Sequence, residues 1–146
     1  MMTVPSFRSL RFRAYRTVLA IVLLVLVPVG LYTKAYRGQL DWWVNDYAGA
    51  ILYEAFWIVL VAFIWPQVPP AKVATGVFAV TALLECLQLW QPPFLQAIRA
   101  TFVGRTLLGT TFAWWDFPHY VLGCALTWLA LRYLKSKLVR VREEIV

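Results

Sequence analysis

Charge is scarce in this 146-residue chain: 14% of its residues are Asp, Glu, Lys or Arg, against 62% that are hydrophobic. Soluble domains run at about 25% charged and roughly 45–50% apolar. A soluble fold of this length could not bury so much apolar surface. The same composition excludes a disordered chain and a coiled coil. Cysteine is also scarce. Cys86 and Cys124 are too few for a disulfide scaffold, and both fall inside apolar runs, where thiols serve as small packing groups. The single histidine, His119, has no second His or Cys at ligand spacing, so neither a metal site nor a cofactor is expected. HExxH, CxxC and GxSxG are all absent, which removes the common hydrolase and redox signatures. What remains is an integral membrane protein.

The apolar residues are grouped in runs. A helix needs about 20 residues to cross the hydrocarbon core, and four segments qualify: 17–33, 47–65, 73–90 and 117–134. Pro28 falls within the first, and Pro66, Pro69 and Pro70 close the second with a short hairpin. Trp42, Trp43, Trp65, Trp90, Trp114 and Trp115 sit at span ends, where amphipathic rings favour the headgroup layer. The expected fold is therefore a single all-α membrane domain over residues 1–146 with four transmembrane helices. The segment 91–112 is too long for a tight connection. Its Phe94, Leu95, Ile98, Phe102, Leu107 and Leu108 predict a short interfacial or re-entrant helix between the third and fourth spans.

The net charge of +7 is confined to edges. Arg8, Arg11, Arg13 and Arg16 precede the first span, and Arg132, Lys135, Lys137, Arg140 and Arg142 lie at or beyond the end of the last. Such clusters are topology signals and contacts for anionic lipid, whereas a nucleic-acid surface would need a basic face of its own. With four spans, ten of the fourteen basic residues share the face of the two termini and the Pro66–Lys72 hairpin. The positive-inside bias then puts both termini in the cytoplasm. The basic start also resembles a signal peptide or a mitochondrial presequence. No small-x-small cleavage site follows the apolar run, so an uncleaved anchor in a bacterial inner membrane is expected.

Ionisable groups at membrane depth cost at least about 2.5–3.5 kcal/mol on insertion scales, so each needs a partner or a use. At about 1.5 Å per residue, Glu54 lies roughly 12 Å below Asp46 and Glu85 roughly 8 Å below Trp90. Two carboxyls on different helices thus reach similar depth from the same side. Gln88 shares a helix face with Glu85, Thr81 lies one turn deeper, and Tyr47 is on the face of Glu54. In the fourth span Asp116, Tyr120 and Gly123 follow one another at about one turn. Arg99 and Arg105 lie in the loop above. Bundled together, Asp46, Glu54, Glu85, Gln88, Asp116 and Tyr120 would form an outward-facing polar pocket capped by guanidinium. The same groups would equally serve to hold helices together. Gly104, Gly109 and Gly123 read as close-packing points, and His119 as an interfacial ring.

The run Glu85-Cys86-Leu87-Gln88-Leu89-Trp90 through Ile98-Arg99-Ala100-Thr101, followed by Gly104, Leu107-Leu108-Gly109, Phe112, Trp115-Asp116, Tyr120 and Gly123, resembles domain-of-unknown-function family 2809. These are small bacterial multi-span proteins. Asp46, Gly49 and Tyr53 resemble the family's acidic-Gly-Tyr segment at the second span, with Ala50 where a second acid is expected. The Glu-x-x-Gln, the loop Arg and the later Asp are also distantly similar to VanZ-like proteins. Both resemblances imply a membrane fold and leave the activity open.

Three functions follow from these residues. The first is a non-enzymatic envelope protein that holds a lipid or amphiphile headgroup, or a partner, with Arg99 and Arg105 on phosphate or carboxylate. The second is an oligomeric transporter or channel subunit using Glu54 or Glu85 as a reversibly protonated carboxyl. The third is an intramembrane enzyme on a lipid-linked substrate with Glu85 or Asp116 as base. No nucleophile–base pair can be named for the third, and the first is the expectation.

Overall fold

The computed structural model describes residues 7–139, with side chains from Phe12 onward. Every regular element among them is helical. Helix α1 (Phe7–Ala35) continues through Pro28. A short α2 (Asp41–Trp43), a π-helical turn (Val44–Ala48) and α3 (Gly49–Ile64) follow one another as a single rod of 24 residues, Asp41–Ile64. Helix α4 (Pro70–Leu87) starts with a proline in its first turn, where the missing N–H costs nothing. The short helices α5 (Pro93–Ala100) and α6 (Phe102–Leu108) precede the 23-residue α7 (Asp116–Leu138).

Three helices are long and apolar enough to cross a membrane: Phe12–Ala35, Asp41–Ile64 and Pro70–Leu87. Helix α7 has the length, but Pro118, His119 and Arg132 dilute its apolar run. It nevertheless packs against α1, α3 and α4, so the four long helices form one bundle with α3 touching the other three. The core is apolar: Tyr15 and Leu19 from α1, Ile58, Val59 and Ala62 from α3, Val73, Ala74 and Val77 from α4, and Leu131 from α7. Outward faces are apolar too, with Leu24, Leu83 and Leu126 exposed. That inversion is what lipid as solvent demands, since hydrocarbon does not penalise exposed leucine.

The two ends of the bundle differ. At one end Lys135 Nζ donates to Val68 O in the hairpin at 2.8 Å, and the Arg16 guanidinium sits 4.9 Å over the Phe63 ring. Arg13, Arg16, Arg132 and Lys137 are exposed there. The side chains of Arg8, Arg11, Arg140 and Arg142, expected to meet lipid, lie outside the described residues. The other end carries α5, α6, the loop after them and most of the polar groups inferred from the sequence. All six span-end tryptophans are exposed.

The interfacial segment is two helices rather than one. Thr101 is extended (φ −77°, ψ 154°) and interrupts them. Its hydroxyl donates to Ile98 O at 2.7 Å and accepts from Gly104 N at 2.9 Å, so one side chain closes α5 and caps α6.

Candidate functional site

The polar residues at the α5–α6 end are organised around Glu85, the first residue of the final turn of α4. Helix α4 ends two residues beyond it at Leu87, and Pro92 keeps Gln91 out of the helical region, so the next helix starts only at Pro93. The chain then wanders over the helix end and returns at Ala113, whose N–H donates to Glu85 Oε1 at 2.7 Å. Gln88 Nε2 donates to Oε2 at 2.9 Å, and Tyr120 OH from α7 donates to the same oxygen at 3.1 Å. The carboxyl is 1% exposed. Three donors, including a backbone amide, satisfy both of its oxygens at that burial.

The glutamine is held from above. Gly109 sits at φ 66°, and a Cβ there would run into the Gln88 amide, so the loop crosses directly over it. Gln91 Nε2 donates to Gln88 O at 2.7 Å. Tyr53 OH donates to Leu107 O at 2.9 Å, which fastens the end of α6 to α3.

Arg99 does not cap a carboxylate pocket. It is 5% exposed, and its guanidinium donates to Leu87 O at 3.0 Å and Trp90 O at 3.1 Å. Leu87 O is the last carbonyl of α4 and Trp90 O lies in the turn that follows, where a cation is favoured by both hydrogen bonding and the helix dipole. The α5 helix therefore turns its arginine inward and leaves Phe94 and Ile98 exposed. Arg105 is exposed on α6 and stands apart from the Glu85 network.

Glu54 also separates from that network. Its carboxyl is 0% exposed, and Cys124 Sγ donates to Oε1 at 2.9 Å. Cys124 is one turn deeper along α7 than Tyr120, so Glu54 lies about 6 Å further into the bundle than Glu85. Cys124 is thus more than a packing group. Gly123 is what lets α3 and α7 come so close: a Cβ would meet Ile51 O at 2.9 Å and Glu54 Cβ at 3.0 Å.

Asp116 opens α7 at the mouth of the Glu85 network, half-buried and one residue ahead of the apolar run 117–134. Burial foremost, then the Glu85 carboxylate and more weakly Asp46, push its carboxyl up to about 6, while His119 and Lys34 pull the other way. Asp46 itself is exposed. Lys34 Nζ donates to Asn45 O at 2.6 Å, beside the π-helical turn. The His119 ring stacks on Tyr47 with centroids 4.3 Å apart, and its Nδ1 donates to Trp115 O at 2.6 Å. Among the described residues, no group of three or more His, Cys, Asp or Glu is placed to hold a metal ion.

Of the eight residues expected in one pocket, Glu85, Gln88 and Tyr120 are directly bonded, and Asp116 borders them. Glu54 forms its own site, Arg99 caps a helix, and Asp46 and Arg105 face outward. Spacing did not reveal Ala113 N–H or Cys124 as donors, or Lys34 as a member of the mouth.

The segment that builds this end also carries the kinship. Residues 39–124 match the family described as proteins of unknown function, DUF2809. The chain belongs to that family. The match begins at the loop before α2 and ends at Cys124, so it takes in both buried carboxyls of this DUF2809 member. No solved structure matches the chain.

Proposed function

We propose that this DUF2809 protein is a four-span protein of a bacterial inner membrane that binds the headgroup of a lipid or other amphiphile at its outward end. The observation that carries this reading is the inside-out character of α5 and α6. Arg99 is buried while Phe94, Ile98, Phe102 and Val103 are exposed, next to a half-open polar mouth. Helices with that pattern lie at the boundary between headgroups and acyl chains. They give an amphiphile a lateral path to Asp116, Lys34 and Tyr47. With Arg99 committed to α4, the exposed Arg105 is the guanidinium free to meet an anionic group.

Helix α7 carries the fourth span, 117–134. It returns the chain to the basic end, where Lys135 reaches the α3–α4 hairpin. The excess of Lys and Arg at that end orients it, with both termini, towards the cytoplasm. Both oxygens of Glu85 are occupied by structural donors, which counts against that residue as a general base.

Native mass spectrometry of the full chain in mild detergent tests this. Retention of a defined lipid that is lost in Arg105→Ala and Asp116→Asn supports headgroup binding and names the ligand class. A stable oligomer carrying no lipid would refute it in favour of a transporter or channel subunit. That second reading draws on Glu54, a carboxyl enclosed in the bundle.

A further inference from the structure

Glu54 is enclosed on every side that the structure describes, and one of its oxygens has nothing to bond. Oε1 accepts from Cys124 Sγ, whereas Oε2 is buried without a hydrogen-bond partner. Thr81 of α4 lies near the carboxyl, Cys124 of α7 bonds it, and Gly123 packs against the Glu54 Cβ. The Thr81 hydroxyl has a single hydrogen, and the carbonyls of Val77 at 3.2 Å and Phe78 at 3.1 Å, one turn back on its own helix, are its bonded acceptors. The thiol is shared with Ala74 O at 3.7 Å. A thiol is a weak donor, and a bare carboxylate at zero exposure needs several strong ones. Hard metal cations take six or more oxygen ligands, far more than this site presents. A hydrogen on Oε2 removes the charge, so that the unpartnered oxygen belongs to a buried neutral acid and not to a buried ion.

We propose that Glu54 is a proton-binding site inside the bundle, loaded in the resting protein and hydrogen-bonded through its carbonyl oxygen to Cys124. The step it undergoes is bare proton exchange. The O–H bond at Oε2 breaks, its electron pair stays on the carboxylate, and the proton passes to water. Unloading leaves a charge with one thiol donor. The α3–α7 contact at Gly123 is the place that must open to hydrate it, which links the proton to the packing of these two helices. This site is independent of headgroup binding, since it shares no bonded residue with the mouth around Asp116.

Infrared spectroscopy of the full chain in lipid vesicles tests the assignment, recorded at a pH well above the titration of Asp116. A neutral carboxylic-acid C=O band is expected in the wild type, lost in Glu54→Gln and retained in Glu85→Gln. Cys124→Ala, which keeps the acid, should shift that band to higher frequency by removing the hydrogen bond to its carbonyl. The shift also decides the matter should Glu54→Gln fail to fold. Absence of the band in the wild type, its survival in Glu54→Gln, or an unmoved band in Cys124→Ala would each overturn the proposal.

Discussion

Glu85 and Glu54 lie on neighbouring helices, are buried to the same degree and face the same helix, α7, one turn apart. Their surroundings are nevertheless opposite. Glu85 sits where α4 ends and an irregular segment folds back, so a backbone N–H, a phenol and an amide converge on its two oxygens. Glu54 sits in the middle of a rod whose own amides are used by the helix, and its bonded donor is a thiol. Depth and burial are therefore poor guides to what a membrane carboxyl does. The supply of donors decides, and donors are plentiful only where regular backbone stops.

The contrast breaks first at Glu85. Glu85→Gln keeps one acceptor oxygen but presents an NH2 to the other donors, leaving at least one buried hydrogen-bonding group opposed by another. A loss of about 1–3 kcal/mol follows for each group left unsatisfied, read as a lower thermal midpoint in detergent and faster proteolysis between α6 and α7. Glu54→Gln should cost less by the same assay, about 1 kcal/mol, since an amide of equal shape replaces a neutral acid and adds a single N–H. Equal losses in the two variants would erase the distinction.

Arg99 offers a slightly smaller break, confined to the Glu85 side. Arg99→Ala removes two charge-assisted hydrogen bonds, but α5 can relax and let water reach the freed carbonyls, which holds the net loss to about 1–2 kcal/mol. Arg99→Lys should recover only part, because an ammonium cannot span Leu87 O and Trp90 O as a planar fork does. The measurement is modification of a cysteine placed at Leu95, which is buried while α5 is docked. Faster labelling in Arg99→Ala is expected, and an unchanged rate would show that the apolar contacts of α5 hold it alone.

Much of this bundle is legible in the sequence. The apolar runs find α1, the Asp41–Ile64 rod and α4, and Pro66, Pro69, Pro70, Pro92 and Pro93 mark where the chain stops and turns. The Glu85–Gln88 pair and Tyr120 follow from helical spacing. Three features do not. Thr101 breaks the interfacial segment in two, although a Thr three residues before Gly104 is an N-cap signal. Arg99 amid Phe94, Leu95 and Ile98 suits an arginine facing headgroups as well as one facing protein, and only the fold-back over α4 supplies the carbonyls that claim it. The single pocket divides because similar depth is not the same depth: one turn of α7 is enough to hand Glu54 to Cys124 instead of Tyr120.

The mildest prediction concerns Asp116, which feels Glu85 without bonding to it. Its carboxyl is raised from an ordinary value of 3.8 to about 6, by burial first and by the Glu85 carboxylate second. A raised acid binds more protons folded than unfolded, so between these two values stability falls as pH rises. The contribution is complete below about pH 4 and gone above about pH 6. Asp116 is partly open to solvent, which limits the slope to about 1 kcal/mol across that window. Asp116→Asn should abolish this slope and raise the thermal midpoint at neutral pH. Glu85→Gln should flatten it as well, because it removes the second-largest source of the shift. If Asp116→Asn left the slope intact, the mouth would be electrostatically independent of the carboxyl it overlies, and Glu85 would be a structural tie with no influence on whatever binds above it.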